Sequence, residues 1–230
     1  LLSFLAGADV DRVVSYGIER EIRHYAGLVP MTPYGDAIAS AFLASVAAKG
    51  GKVVGMERFP PDAGGMVGPV LSLKSALKAA ATARQSVQAL LIAGGQESLP
   101  TLAPMLTYHG IDLKSLRLIG TGAWNVPTIS RVPALTGGWF AAPDPTGWQA
   151  FSNRFQQAHG RPPVRIAGLA YDAVSLAVSL SSGAPGQRFT PELLTRSSGF
   201  AGVDGLFRLN ADGTCERGLA VLEVQPLGPR

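Results

Sequence analysis

The sequence contains few of the residue types on which catalytic and metal-binding sites usually depend. It has one cysteine and three histidines in 230 residues, and charged residues make up only 16% of the chain. Cys215 has no second thiol with which to form an internal disulfide, so it says little about the redox compartment. His24, His109 and His159 lie far apart, each near the expected end of a helix or strand, which favours surface or capping roles over metal ligation.

Motifs of the common enzyme classes are also missing. The chain has no GxSxG, HExxH, CxxC or GxxxxGK[ST] motif, and none of its glycine-rich segments has the GxGxxG spacing. The GTG segment at 120–122 follows a predicted strand, but a single GxG is typical of a tight turn. Asp144, Asp172 and Asp204 lack a spacing that would indicate a catalytic pair. These absences favour a protein without enzymatic activity, cofactor or metal, and leave an α/β enzyme as the alternative.

Long apolar runs and clusters of basic residues are absent as well. No apolar run approaches the roughly 20 residues that are needed to cross a bilayer. The net charge of +4 comes from scattered lysines and arginines without interleaved aromatic residues. Because nucleic-acid interfaces concentrate positive charge, this scatter gives little support to nucleic-acid binding. We therefore expect no nucleic-acid partner and no membrane span in this chain.

Short apolar runs alternate with helical patterns through the first 125 residues. Strands are predicted at 25–29, 52–59, 88–93 and 116–119, with helices between them that include 70–83 and 98–108. In the first interval, Ile38, Phe42 and Val46 recur at four-residue steps, which predicts a helix that stops at Gly50. Such alternation predicts a parallel sheet covered by helices on both faces. Ligands of such sheets bind beyond the carboxyl ends of the strands.

The pattern changes after residue 125. We predict an exit strand at 137–142, helices at 147–159 and 164–180, and a final hairpin whose strands, 205–209 and 219–224, flank a turn. A domain boundary is placed at 142–145. The later segment has too few strands to form a full sheet, so we expect its helices to need a partner sheet that this chain does not encode.

Two aromatic side chains fall in loops at the expected carboxyl ends of strands. Tyr34 follows the first strand directly before a helix, and Trp124 follows the fourth strand. Large rings that carry a polar group are suited to the mouth of a binding cleft. Packing of each ring at the edge of its own lobe is the open alternative.

Several segments, in order along the chain, resemble type I periplasmic solute-binding proteins of the leucine/isoleucine/valine-binding group. They include YAGLVPMTPYG at 25–35, LRLIGTGAWNVP at 116–127 and GFAGVDGLFRLNADGTCERGLAVLEV at 199–224. The last segment is most similar to the branch of penicillin-binding protein activators, which are lipoproteins. The resemblance implies a periplasmic-binding-protein type I fold, with a parallel sheet flanked by helices in one lobe and the C-terminal part of a second lobe.

The resemblance also implies how the chain is divided. Residues 1–8 would form an inter-lobe crossing, 9–142 the second α/β lobe, and 143–230 a return segment of the first lobe. A third crossing is expected near 202–209. The segment that opens the family's first lobe is expected to be missing before Leu1.

Binding residues are implied by the same resemblance. Tyr34 matches the tyrosine of a YG loop that lines the cleft and stacks on the ligand. Gln96 and Glu97 lie in the loop after the third strand, where amino-acid binders place a tyrosine. Thr121 lies in the GTG loop, where those proteins carry a carboxylate for the ligand's ammonium group, and this sequence has no acid there. The departure weakens a branched-chain amino-acid assignment, unless Glu97 supplies the charge. Together with Trp124, these four are the expected ligand-binding residues.

Two functions therefore stay open. The first is a non-enzymatic extracytoplasmic receptor that binds a small polar, amino-acid-like ligand between its lobes and passes it to an ABC transporter permease. The second is a regulator of peptidoglycan synthesis, a penicillin-binding protein activator whose partner is a peptidoglycan synthase. Both imply a periplasmic location, with membrane contact only through a lipid anchor outside this chain.

Overall fold

The structure is a computed structural model that describes residues 2–184 and 186–226. Its helices are α1 (Ala6–Ile18), α2 (Pro33–Ala48), α3 (Val67–Thr82), α4 (Leu99–Tyr108), α5 (Pro145–His159), α6 (Ala167–Ser181) and α7 (Pro191–Leu194). Its strands are β1 (His24–Pro30), β2 (Lys52–Phe59), β3 (Ala89–Ile92), β4 (Arg117–Gly120), β5 (Trp139–Ala142), β6 (Phe200–Gly202), β7 (Gly205–Leu209), β8 (Cys215–Arg217) and β9 (Ala220–Glu223). Short 3-10 helices occupy several of the connecting loops.

The larger of the two sheets has six strands in the order β2-β1-β3-β4-β5-β9. The pairs β1–β2, β1–β3, β3–β4 and β4–β5 are all parallel. This arrangement confirms the predicted α/β class with a mainly parallel sheet. The strand order also shows that the chain moves outward from β1 to β2 and then crosses back to β3, so the direction of winding reverses at β1.

Helices cover both faces of this sheet because successive β1 side chains point to opposite sides. On one face, Leu28 lies in a core cluster with Val70 and Leu73 of α3. On the other, the Tyr25 ring packs edge-on against Phe42 of α2, with ring centroids 5.9 Å apart. Phe42 belongs to the four-residue stripe seen in the sequence, and all three members of that stripe are buried. The predicted helix and its buried face are therefore confirmed.

The predicted final hairpin is wrong in its pairing. β7 pairs antiparallel with β8, not with 219–224, and β6 completes a separate three-stranded sheet. The tight turn between β7 and β8 explains this, because it places Leu209 opposite Cys215. The following apolar segment, β9, instead joins the edge of the larger sheet beside β5. There the Val224 N–H donates to the Gly138 carbonyl at 2.8 Å.

The chain divides into two compact units. One contains the described residues of 2–8 and 143–220, and the other those of 9–142 and 221–226. The chain thus changes unit after Ala8, after Ala142 and after Ala220. The last of these changes lies beyond 202–209, since β7 and β8 stay in one small sheet. The assignment of these units to the lobes of a binding protein stays a prediction.

Two buried aspartates pair with arginines and connect the smaller sheet to α6 and to the turn before it. The Asp172 carboxylate on α6 accepts from the Val203 N–H at 2.6 Å and lies 3.4 Å from the Arg217 guanidinium. Asp204 is buried too, and its two oxygens accept from Arg165 at 2.9 and 2.5 Å. Asp172 and Asp204 therefore both have arginine partners in the structure.

One face of α5 and α6 in this unit is apolar and exposed. Val174 and Val178 are 64% and 65% exposed, and Tyr171 is 47% exposed. A groove of about 500 Å³ runs along this face, lined by Phe151, Arg154, Phe155, His159, Ala167, Ala170, Tyr171 and Val174. Such a contiguous apolar surface is typical of a site of association. None of the helices in the described part of the chain has the length and apolar character of a membrane span.

Candidate functional site

The strand order places the candidate site at the carboxyl end of β1. In open parallel sheets, the loops that follow the strands diverge where the winding direction reverses, and the crevice between them holds ligands. The reversal here lies between β1 and β3. The loops after β1, β3 and β4 therefore border this crevice, and they carry the residues that the sequence singled out.

The loop after β1 is held in a fixed shape that presents Tyr34. Thr32 caps α2, and its Oγ1 accepts from the Gly35 N–H at 3.1 Å. Pro33 occupies the first helical turn, where its fixed φ favours the helix start. A Cβ atom at residue 35 would lie 1.9 Å from the Pro30 carbonyl oxygen, so only glycine allows this turn. As a result, the Tyr34 ring stands at the carboxyl edge of the sheet and is 39% exposed.

The loop after β4 brings Thr121 to the same place. The Tyr34 Oη and Thr121 Oγ1 atoms are 2.7 Å apart, although 87 residues separate them in the sequence. Thr121 is fully buried, and its Oγ1 also accepts from the Ala123 N–H at 3.3 Å. The two hydroxyl groups thus form one polar pair that joins the loops after β1 and β4. Of the five predicted ligand residues, these two are brought together by the structure.

An acid that the sequence analysis missed lies next to this pair. Asp9 Oδ2 accepts from the Gly122 N–H at 2.9 Å. Helix α1 carries Asp9 to the site because Val10, Val13 and Val14 are fully buried and fix the helix on its unit. No local sequence signal could have found it, since its partner is more than a hundred residues away. The GTG loop has no acid of its own, but its backbone is contacted by the Asp9 carboxylate of α1.

Burial and charge set the ionisation of these groups. Burial raises the pKa of Asp9 to about 6, and the hydrogen bond from Gly122 only partly offsets this effect. Burial also raises the pKa of Tyr34 above its usual value, and the nearby Asp9 charge adds to the rise. Tyr34 is therefore a neutral phenol at physiological pH, and Asp9 carries a negative charge above about pH 6.

The other predicted residues are placed differently. Gln96 and Glu97 lie exposed in the turn after β3, without a hydrogen bond to the Tyr34–Thr121 pair. Trp124 is 1% exposed, and its Nε1 donates to the Ile92 carbonyl at 3.1 Å. Its ring lies against Gly120, where a Cβ atom would come within 2.2 Å of the ring. The structure thus gives Trp124 a packing role. The ligand contacts predicted for these three residues stay predictions.

The described part of the chain offers no cluster of three or more potential metal ligands. A separate cavity of about 1170 Å³ lies at the opposite edge of the sheet, beside the amino ends of β4 and β5. Its lining includes Arg117, which lies 4.2 Å from the Trp139 ring centroid and donates to the Gly137 carbonyl. Arg117 therefore already has partners within its own unit. The carboxyl edge is therefore the better candidate for a ligand site.

Comparison with known proteins is consistent with the fold. A family model described as periplasmic binding protein matches residues 1–228. The chain belongs to the periplasmic binding protein family. This membership confirms the resemblance to the type I group that the sequence segments show. It does not distinguish the penicillin-binding protein activators from other members, so that prediction stays a prediction.

Solved structures of periplasmic binding proteins share the fold at low sequence identity. One is a proposed branched-chain amino acid ABC transporter protein from Rhodospirillum rubrum, with a TM-score of 0.77 and 21% identity over 96% of this chain and 64% of that one. Another is an ABC transporter substrate-binding protein from Desulfitobacterium hafniense in complex with leucine, with a TM-score of 0.64 and 18% identity over 94% and 62%. A third is a solute-binding protein from Rhodopseudomonas palustris in complex with 3,4-dihydroxybenzoic acid, with a TM-score of 0.61 and 15% identity over 96% and 61%.

The chain spans less than two thirds of the length of each of these structures. At such identities the likeness concerns the fold, not the ligand. No curated protein matches the chain in sequence.

Proposed function

We propose that this protein is a non-enzymatic, extracytoplasmic solute-binding protein that binds a small polar ligand for an ABC-type transporter. The observation that carries the proposal is the Tyr34–Thr121 hydroxyl pair, 2.7 Å apart at the carboxyl edge of the parallel sheet. It lies at the edge where sheets of this winding bind their ligands. Family membership supports the same role and a periplasmic location.

The chemistry of the pair suits a small polar ligand. Tyr34 combines an exposed ring face with a neutral hydroxyl group, so it can contact an apolar body and hydrogen-bond a polar group at once. Leucine and 3,4-dihydroxybenzoic acid, found in the relatives from D. hafniense and R. palustris, are both small carboxylic acids with an apolar part. Ligands of this size and polarity are therefore the first to test.

Thermal unfolding of the intact protein with a ligand panel tests the proposal. The panel contains L-leucine, L-phenylalanine, benzoate and 3,4-dihydroxybenzoate. A ligand present at 100 times its Kd adds about 2.7 kcal/mol to the free energy of unfolding, which raises Tm by several degrees. We expect at least one such rise, a Kd confirmed by calorimetry, and an NMR spectrum of the ligand unchanged after incubation. Turnover of the ligand, or no rise with any panel member, would contradict the proposal.

Matched tyrosine variants locate the binding. Tyr34→Phe removes the hydroxyl group from the candidate site, and we expect a loss of affinity of about threefold to tenfold, the usual worth of one neutral hydrogen bond. Tyr108→Phe makes the same change at a tyrosine that is 86% exposed on α4, and it should leave the Kd unchanged. Equal changes in the Kd of the two variants would show that the ligand does not bind at Tyr34.

A further inference from the structure

A continuous depression runs along the amino-terminal edge of the larger sheet. The cavity of about 1170 Å³ beside the amino ends of β4 and β5 adjoins a second cavity of about 530 Å³, which is lined by α3 and by the segment between α4 and β4. The two cavities share four lining residues, which are Ile111, Asp112, Ser115 and Leu116. They therefore form one depression, the basic groove, within a single compact unit and on the edge opposite the candidate ligand site.

The fold gathers in this groove positive charges that are far apart in the sequence. The described lining includes five basic residues and one acid, which are Arg20, Lys74, Lys78, Lys114, Arg117 and Asp112. The acid caps the short 3-10 turn at Leu113–Ser115. The groove has an excess of four positive charges, which equals the net charge of the whole chain, so the basic and acidic residues elsewhere balance one another.

Three lysines of the groove lack an acidic partner. Lys74 and Lys78, one turn apart on α3, and Lys114, after α4, are exposed and form no ion pair within residues 2–184 and 186–226. By contrast, Lys49 on α2 pairs with Asp11. Because like charges that are held close together repel one another, an anionic partner would be attracted to this part of the surface.

Aromatic rings hold the two arginines of the groove in position. The Arg117 guanidinium lies 4.2 Å from the Trp139 ring centroid and donates one hydrogen bond to a backbone carbonyl group. The Arg20 guanidinium lies 3.3 Å from the Tyr16 ring centroid, and the exposed Glu19 carboxylate is 3.9 Å away, at the limit of an ion pair. Because a guanidinium group has five N–H donors, both arginines keep donors for a carboxylate group.

The floor of the groove is apolar. It includes Leu77, Val87, Ile111, Leu113 and Leu116, all of which belong to the core cluster of the unit or pack against it. A nucleic-acid backbone would bring only charged groups to this floor, and a flat lipid surface does not match a concave depression. An extended peptide with both acidic and apolar side chains matches the basic rim and the apolar floor together.

We propose that the basic groove binds an acidic segment of a partner protein, in which glutamate or aspartate residues are interspersed with apolar ones. The acidic side chains of the segment pair with Lys74, Lys114 and Arg117, and its apolar side chains lie on the floor of the groove. This docking site is separate from the candidate ligand site and goes beyond the proposed function.

Fluorescence anisotropy of the intact protein with three labelled peptides tests this inference. The peptides repeat Glu-Ser-Leu, Gln-Ser-Leu or Glu-Ser-Ser four times, so the second lacks charge and the third lacks apolar side chains. We expect the Glu-Ser-Leu peptide to bind at least about tenfold more tightly than either of the others, with a Kd that rises with salt concentration. Hydrogen exchange should show that this peptide protects backbone amides at 110–117.

Matched variants locate the bound peptide. Lys74→Gln combined with Lys114→Gln removes two positive charges from the groove and should raise the Kd by about threefold to thirtyfold. Arg131→Gln combined with Arg161→Gln removes the same charge at exposed positions outside the groove and should change the Kd by less than about twofold. Unchanged circular dichroism spectra show that both variants are folded.

Several results would overturn the inference. Equal weakening by the two double substitutions would indicate general electrostatic attraction, and equal binding of the Glu-Ser-Ser peptide would show that the apolar floor has no role. Flotation with phosphatidylglycerol vesicles that is lost in the Lys74→Gln/Lys114→Gln variant, without peptide binding, would assign the groove to a membrane surface. Absence of peptide binding at millimolar concentration would also refute the docking site, while the proposed solute-binding function would be unaffected.

Discussion

The Asp9 carboxylate and the Gly122 backbone N–H meet at 2.9 Å across 113 residues of sequence. This hydrogen bond joins α1 to the loop after β4, at the edge of the sheet where ligands of this fold class bind. It also leaves an acid at the candidate site whose charge is costly, because its pKa is about 6 in the folded protein and 3.8 without the protein environment.

The first prediction follows from these two values. The folded protein binds the Asp9 proton more tightly than the unfolded chain, so the Asp9 contribution to the free energy of unfolding falls as the pH rises from about 4 to about 6. Above about pH 6 the ionised Asp9 carboxylate lowers the free energy of unfolding by its full amount. That amount is no more than about 3 kcal/mol, because the side chain keeps some contact with water. We expect Asp9→Asn to raise Tm at pH 7.5 and to leave it unchanged at pH 3.5.

The control for this experiment is Asp11→Asn, which removes an acid that has partners. Its charge is compensated by Lys49, and Lys49 holds the pKa of Asp11 below its usual value. We therefore expect Asp11→Asn to lower Tm slightly at pH 7.5. A gain in stability from both substitutions would point to relief of general repulsion and not to a cost specific to Asp9.

The second prediction concerns the Tyr34–Thr121 hydrogen bond. A double-mutant cycle of Tyr34→Phe and Thr121→Val should give a coupling energy of about 0.5–1.5 kcal/mol in urea unfolding, because each single change already removes the shared bond. Thr121→Val also removes the hydroxyl group that caps Ala123, so it should be the more damaging single change. Strict additivity of the two effects would mean that the bond contributes nothing to stability.

The third prediction concerns the turn before α2. Gly35→Ala places a methyl group against the Pro30 carbonyl oxygen, which cannot move without shifting the end of β1. We expect a loss of about 1–3 kcal/mol in the free energy of unfolding, as for other overpacked sites. Gly68→Ala, in the first turn of α3, meets nothing within 4 Å and should change stability by less than about 1 kcal/mol.

The fourth prediction concerns the buried pair of Asp172 and Arg217. Their side chains are 0% and 3% exposed, so Arg217→Met would leave an uncompensated buried carboxylate and cost about 3–5 kcal/mol. Arg208→Met breaks an exposed pair with Glu216 and should cost about 1 kcal/mol or less. Chemical unfolding followed by tryptophan fluorescence would compare them. Similar losses would show that the buried pair is no more important than the surface pair.

The fifth prediction concerns the exposed apolar face of α6. Val174→Lys combined with Val178→Lys should reduce concentration-dependent self-association of the 230-residue chain in sedimentation experiments, since both side chains are more than half exposed. Leu43→Lys combined with Leu71→Lys adds the same two positive charges at exposed positions of α2 and α3, outside this face, and should have little effect. Equal reduction by both changes would indicate that net charge, and not the apolar face, controls association.

Local patterns in the sequence were sufficient to predict much of the larger sheet. The stripe of Ile38, Phe42 and Val46 identified α2, and the alternation of elements gave a parallel sheet. The partner of β9 could not be predicted, because its apolar residues fit either sheet and only the register fixed by the β7–β8 turn decides between them. Tyr34 could be selected as a candidate from its place after a strand. Asp9 could not, since its role depends on how α1 packs.

The place of β9 has a consequence for the way in which the protein folds. β9 lies beside β5 in the larger sheet, but three strands of another sheet and three helices intervene in the sequence. Until β9 has joined the larger sheet, β5 presents an unpaired edge. Such edges invite pairing with other unfolded chains. The yield of refolding from denaturant should therefore fall as the protein concentration rises, because β5 can pair with another chain before β9 covers it.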